Sequence, residues 1–127
     1  MIAASRASSP SRNQSYPHDW LFSKVKAVVH HGGSGTTTAV CRAGLPSVVV
    51  PYFADQLGWG KRLHQLGVSP KPIPRKQSTA ESFGAAIAIT TSNSVMQQQA
   101  AQLGVKIRGE NGVEQAVAIV EQYLQSN

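Results

Sequence analysis

Residues 28–56 read VVHHGGSGTTTAVCRAGLPSVVVPYFADQ. Two valine runs flank a glycine-rich turn and a row of threonines, and the second run leads into Asp55 and Gln56. VKAVVHH (25–31) reads as a strand with a buried, Val-rich end. LPSVVVP (45–51) is a second continuous apolar run, the kind found in parallel sheets covered on both faces. GGSG breaks the first run. TTTAVCRAG then makes a short helix, with Thr36 in its first turn and Gly44 at the C-terminal cap position. Strand, tight turn, helix and strand form a βαβ unit, which predicts helices layered on a parallel sheet.

The chain continues as helix. ADQLGWGKRLHQLGV opens as a loop and becomes a helix ending at Gly67. SPKPIPRK has prolines at 70, 72 and 74 and must be extended. Thr79 caps a helix through about Ile89, with Glu81 in its first turn. Two more helices follow, over roughly 93–103 and 112–125. Upstream, HDWLF is a short turn or helical start. Met1 to Tyr16 has five serines, two arginines, no acid and no periodic apolar face. It reads as a disordered or non-native lead, with some likeness to an organelle transit peptide. The organisation is therefore a lead over 1–16 and a partial domain over 17–127. Two interior strands make a poor sheet. The fold class is α/β, a partial Rossmann-like parallel sheet with helices on both faces, missing the strands that would complete it.

With 127 residues, 41% apolar and 14% charged, the chain is globular rather than disordered. No segment has the 18 or more consecutive apolar residues of a membrane span. The single cysteine, Cys41, excludes an internal disulfide framework and a cysteine-built zinc cluster. Net charge is +6, and ten of the twelve basic residues lie within residues 1–76. A basic half suits an anionic ligand, although a plain solvated surface has the same composition. No dense Lys/Arg run interleaved with aromatics exists, so nucleic acid is not an expected partner.

Two loops carry the chemistry. A glycine-rich turn between strand and helix is a general anion site. Free N–H groups and the helix dipole favour negative charge, and Gly32, Gly33 and Gly35 let the backbone approach a phosphate. Ser34 and Thr36 add hydroxyls, and a histidine at the strand end can donate to a phosphate oxygen. There is no GxxxxGK[ST], and GSGTTT is not GxGxxG. The competing reading is an ordinary βα turn in which His30 or His31 is satisfied by backbone. At the second loop, Asp55 and Gln56 follow the C-terminal end of a strand, the edge where open α/β sheets bind ligands. A carboxylate beside an amide can hold neighbouring sugar hydroxyls. The alternative is that Asp55 caps the following helix.

Taken together, PHDWLF, AVVHHGGSGTT, RAGLPSVVVPYFADQ, WGKRLHQLGV and PKPIPRK resemble the nucleotide-sugar signature of inverting, UDP-sugar-dependent glycosyltransferases with the GT-B fold. The sterol 3-beta-glucosyltransferase group and its bacterial relatives are the nearest in pattern. The resemblance is dense from Pro17 to Thr79, loose over the helical tail and absent over 1–16. It implies the C-terminal half of a GT-B donor domain. His31 would contact the diphosphate, with Gly33, Ser34, Gly35 and Thr36 supplying backbone and hydroxyl donors. Asp55 and Gln56 would hold the hexose. Ala39 stands where plant small-molecule members carry a ribose-binding glutamate, and Ser15 where they carry a base-stacking tryptophan. The sterol and bacterial branch commonly lacks both. Trp59 would line the sugar pocket or pack in the core, core being the plainer reading. His18 and His64 read as structural.

The reaction implied is displacement at the anomeric carbon with inversion. It requires stabilisation of the departing diphosphate, which needs no metal or other cofactor, and a general base. The resemblance places that base in an N-terminal acceptor-binding domain or subunit, so no catalytic residue is assigned within these 127 residues. The expected ligand is UDP-glucose or a related nucleotide sugar. The expected location is cytoplasmic, with peripheral contact to a membrane through PKPIPRK as one option. A non-catalytic binding module, or a remnant whose open sheet edge docks a partner chain, is the alternative.

Overall fold

A computed structural model describes residues 2–5, 18–110 and 112–126. The element order is β1 (Ile2–Ser5), α1 (His18–Phe22), β2 (Val25–His30), α2 (Ser34–Arg42), β3 (Ser47–Val49), α3 (Ala54–Gln65), a 3-10 turn (Arg75–Gln77), α4 (Ala80–Ser92), α5 (Ser94–Gly109) and α6 (Gly112–Gln125). β2 and β3 pair in parallel, with Val28, Val29 and His30 opposite Ser47, Val48 and Val49. The βαβ unit is formed as the valine runs imply.

Alternation along the strands assigns the two layers of helix. Val49 packs with Cys41, Leu63, Val68 and Ala100, which brings α2, α3 and α5 to one face. Val29, Val48 and Val50 pack with Ala86, Phe83 and Ile87, which brings α4 to the other. Val28 and Val40 complete a third cluster with Phe22 and Val25. β2 and β3 are buried on both faces, so apolar residues are favoured at odd and even positions alike. A fully buried valine contributes about 1.5–3 kcal/mol relative to an exposed one.

Several expectations are corrected. The lead contains a strand: β1 pairs antiparallel with β2, Ile2 opposite Val29 and Ala3 opposite Val28. The sheet is therefore mixed and three-stranded, in the order β1-β2-β3. IAAS gave no sign of this, because four residues are too few to establish a period. The remainder of the lead, Met1 and residues 6–16, lies outside the described residues. The outer edge of β3 is not bare either. Ser47 N–H donates to the Val68 carbonyl at 3.0 Å, and the Val49 carbonyl accepts from Ile73 N–H at 2.9 Å. The proline-rich segment supplies that second bond through Ile73, between Pro72 and Pro74, and so works as edge cover. Thr79 caps α4 as expected, its hydroxyl accepting from Ser82 N–H. α4 and α5 run on to Ser92 and Gly109, beyond the expected ends.

Candidate functional site

The C-terminal ends of β2 and β3 are tied together, Val50 N–H donating to the His30 carbonyl at 2.9 Å. Both loops leave from this edge, and they touch. Gly32 has φ +91°, and a Cβ placed there would lie 2.8 Å from the Gln56 carbonyl oxygen and 3.0 Å from Val49 Cγ1. Only glycine has both the conformation and the absent side chain this contact needs. The sequence separates Gly32 from Gln56 by a helix and a strand, and the fold closes that gap.

The first loop presents an uncapped helix start. Gly33 is the N-cap of α2 and no side chain bonds the free amides. Thr37 N–H is already bonded to the Gly33 carbonyl at 2.9 Å, so the preceding amides of the first turn remain for a ligand. Ser34 and Gly35 are exposed, and Gly33 and Thr36 half-buried. A Cβ at Gly35 would meet nothing within 4 Å, so the approach is open. The three threonines separate by role. Thr38 hydroxyl donates to the Ser34 carbonyl at 2.8 Å. Thr37 is buried, its Oγ1 without a partner among the described residues. Thr36 is left half-buried in the first turn of α2.

The two histidines divide likewise. His31 is exposed, and its Nε2 lies 2.8 Å from where a Gly33 Cβ would be, so the imidazole folds across the bare turn. His30 is buried, at 3% exposure. Gly32 N–H donates to His30 Nδ1 at 3.1 Å. That leaves Nε2 to carry the proton and donate to Ser47 Oγ at 3.0 Å. Sequence reasoning weighed a backbone-satisfied His30 or His31 only as the competing reading, and did not foresee the Ser47 contact. Its only trace was a second histidine next to a glycine at a strand end.

Burial, followed by the neighbouring His31, lowers the His30 pKa from 6.5 to about 4. The neutral ring is favoured in the fold, so its stabilisation is complete above pH 6.5 and is lost as pH falls towards 4. The loss amounts to about 3 kcal/mol. Denaturant melts of the wild type from pH 7 to 4 should show this fall. His30→Asn, which offers an acceptor to Gly32 without titrating there, should flatten it. Equal slopes in the two proteins would remove His30 as the cause.

The second loop is shorter than expected. α3 begins at Ala54, so Asp55 and Gln56 lie in its first turn and not in a loop. Phe53 is the N-cap residue. Capping, the alternative role for Asp55, is performed by Gln56. Its Oε1 accepts from Tyr52 N–H at 2.8 Å and Phe53 N–H at 3.0 Å. Asp55 is exposed and bonded to no described group. Trp59 is 40% exposed and not in the core. It stands four residues after Asp55, on the same side of α3. His64 is structural as expected, Nδ1 meeting the Ser69 carbonyl at 3.0 Å. Ala39 offers no polar group for a ribose and lines a cleft of about 340 Å³ with Phe22, Ser23, Arg42, Ala43 and Arg108. The side chain of His18 and all of Ser15 lie outside the described residues. No group of three or more metal-ligating side chains forms among the described residues.

A parallel βαβ unit with an uncapped, glycine-lined helix start and an adjoining acid-bearing helix is the arrangement expected of the donor half of a GT-B glycosyltransferase. A family profile agrees: the chain belongs to the erythromycin biosynthesis protein CIII-like C-terminal domain family, matched over residues 12–121. Among curated proteins it is 47% identical over 107 residues to a sterol 3-beta-glucosyltransferase of Neurospora crassa, covering 84% of this chain and 7% of that one. It is 41% identical over 108 residues to sterol 3-beta-glucosyltransferase UGT80B1 of Arabidopsis thaliana, covering 85% and 17%. Among solved structures, the glycotransferase of kitacinnamycin superposes with a TM-score of 0.77 at 23% identity, covering 85% of this chain and 28% of that one. Glycosyltransferase VinC in complex with DTDP gives 0.74 at 20% identity, covering 87% and 28%. These two likenesses establish the fold. The chain spans from 7% to 17% of the length of these two curated relatives.

Proposed function

We propose that this chain is the donor-binding part of an inverting glycosyltransferase that moves glucose from UDP-glucose to a sterol or other lipid or small-molecule hydroxyl. The observation that carries the reading is the Gly32–Gln56 contact, which sets a phosphate-type loop against an acid-bearing helix start at one sheet edge. The names of the curated relatives supply the sugar and acceptor class. His31, Gly33, Ser34, Gly35 and Thr36 take the diphosphate. Asp55 accepts hydrogen bonds from hexose hydroxyls, with Gln56 beside it.

The chemistry assigned to this chain is stabilisation of the leaving group. As the anomeric bond breaks, charge builds on the diphosphate, and the α2 amides, its dipole and His31 face that charge. In this reading those groups suffice without a metal. The base that takes the acceptor proton comes from an acceptor-binding domain or subunit. The site works in the cytoplasm, where UDP-sugars serve as donors, and peripheral membrane contact would bring it to a lipid acceptor. No helix among the described residues is long and apolar enough to cross a membrane.

A thermal-shift titration with UDP and UDP-glucose tests the reading. Ligand at a hundred times its Kd should stabilise the chain by about 2.7 kcal/mol. UDP-glucose should shift the melt more than UDP, and Asp55→Ala should erase that difference while leaving the response to UDP. A cooperative melt that neither ligand moves would sink the proposal. A second reading, a binding module that docks on a partner and does not transfer, draws on α6. That helix exposes Val117, Ile119, Val120, Tyr123 and Leu124, each by at least half. Recovery of glucosyl transfer when an acceptor domain is supplied would decide against it.

A further inference from the structure

We propose that the cleft between α1, α2 and α5 is a second anion site, suited to a phosphate monoester that carries an apolar group. It goes beyond the donor reading and does not depend on it. Phe22, Ser23, Ala39, Arg42, Ala43 and Arg108 line a space of about 340 Å³. The cleft lies away from the diphosphate loop. α2 starts at that loop with Ser34 and ends in the cleft with Arg42, a rise of about 12 Å at 1.5 Å per residue. Phe22 and Ser23 stand just before β2 begins at Val25. They are therefore at the sheet edge opposite to the one from which both loops leave.

Two guanidiniums line the cleft, and both come from helix ends. Arg42 is in the last turn of α2 and Arg108 in the last turn of α5. Arg108 Nη1 donates to the Arg42 carbonyl, which fixes one guanidinium at the end of α2. The same Nη1 lies 3.1 Å from the Cβ position of Gly104, over the close approach of α5 to Gly44. An arginine at a helix C-terminus has a plain role, since it offsets the dipole. The magnitudes show that this role does not use up both. Each helix end carries about half a negative charge, so two ends bring about one, against two full positive charges. Lys106, in the same turn of α5 as Arg108, adds to the surplus. No ion pair offsets it: among the described residues neither arginine is bonded to a carboxylate, that of Glu110 at the end of α5 included.

Two like charges in one cleft repel, and an anion between them replaces that repulsion with attraction. The guanidinium's fork of N–H donors matches phosphate oxygens. The rest of the lining sets what the phosphate carries. Ala39 and Ala43 are apolar, with the buried ring of Phe22 behind them. A space of this size is at the small end of sites for organic ligands. The phosphate sits on Arg42 and Arg108, and its apolar group lies along Ala39 and Ala43. A soluble phosphate ester and the headgroup of a phosphatidic acid share this chemistry.

Site-resolved NMR on the full 127-residue chain, titrated with phenyl phosphate, tests the proposal. The Ser23 and Ala43 amides and the Nε–H signals of Arg42 and Arg108 should move together and saturate, with or without excess UDP. The UDP response is read separately at the Ser34 and Gly35 amides, so failure of the donor reading would leave this test intact. Arg42→Gln and Arg108→Gln should each weaken binding about tenfold, the scale of a charged hydrogen bond. Arg42 makes no side-chain bond within the fold, so its variant keeps the test valid if Arg108→Gln melts. Lys106→Gln removes the same charge outside the cleft and should cost less than about twofold. Inorganic phosphate should bind about tenfold more weakly than phenyl phosphate, having no ring to bury. Competition by phosphatidylcholine vesicles containing phosphatidic acid would assign the site to a lipid headgroup, and its absence to a soluble ester. No saturable shift at Ser23 and Ala43 would overturn the proposal. So would equal losses in Lys106→Gln and Arg42→Gln, because a diffuse basic surface would then account for the binding.

Discussion

Gly104→Ala should lower the stability of this chain by about 2–3 kcal/mol, enough to move its melting temperature down by roughly 10 °C. Glycine in the interior of a helix ordinarily costs about 1 kcal/mol relative to alanine, so the substitution would help if the site were open. It is not open. A Cβ at Gly104 would lie 2.6 Å from Gly44 Cα and 2.8 Å from Gly44 N. The obstacle is backbone, and that backbone is itself fixed. Gly44 sits at φ +73° just beyond α2, and its N–H donates to the Cys41 carbonyl at 3.0 Å. The only way to admit the methyl is to lift α5 off the end of α2. That would also stretch the bond from the Arg108 guanidinium to the Arg42 carbonyl, 2.5 Å long. Gly84→Ala is the control. Gly84 is exposed in α4 with nothing within 4 Å of its Cβ position, so that change should stabilise by about 1 kcal/mol. Opposite signs from two helical Gly→Ala changes would establish the close approach. Equal effects would deny it.

The pair Gly44 and Gly104 also shows where reading the sequence stops. Gly44 was legible as a helix end because a short periodic run stops there and a proline follows two residues later. Gly104 carries the same letter for another reason. A glycine at the end of a periodic run resembles a terminator, and the helix was expected over 93–103, whereas α5 passes through it to Gly109. The helix continues because its neighbour requires closeness and not because its own propensity favours it. The βαβ unit was legible because both valine runs are buried on two faces, which writes an unbroken apolar stretch. β1 was not, because an edge strand of four residues has no face to record. In the site, the residue types and their order were legible. Which of two histidines is buried is set by a contact between residues far apart in sequence, whereas the α3 cap is local, Gln56 to Tyr52 and Phe53. His30 is held by Ser47, seventeen positions away. No periodicity registers such a pair.

Gly32→Ala should act on stability and on ligand together, and this separates it from any other glycine of the loop. At φ +91° a Cβ costs about 1–2 kcal/mol from backbone sterics alone. The methyl would also press on the Gln56 carbonyl at 2.8 Å and Val49 Cγ1 at 3.0 Å, neither of which is the end of a mobile side chain. A total of about 3 kcal/mol is expected. Relief must come from moving the first loop away from α3, because β3 is held from both sides by β2 and by Ile73. That movement opens the Gly32–Gln56 contact, which joins the diphosphate loop to the helix start that bears Asp55. Binding of UDP-glucose should therefore weaken beyond what the lower stability explains, and its advantage over UDP should vanish. Gly35→Ala gives the complementary result. It lies in the first turn of α2 with open space at its Cβ position, so the fold should melt as before. Its methyl would stand where a phosphate must approach the free amides, so UDP and UDP-glucose should weaken alike. Calorimetric titration of both variants measures this. If Gly32→Ala kept the wild-type preference for UDP-glucose over UDP, the two loops would not form one site.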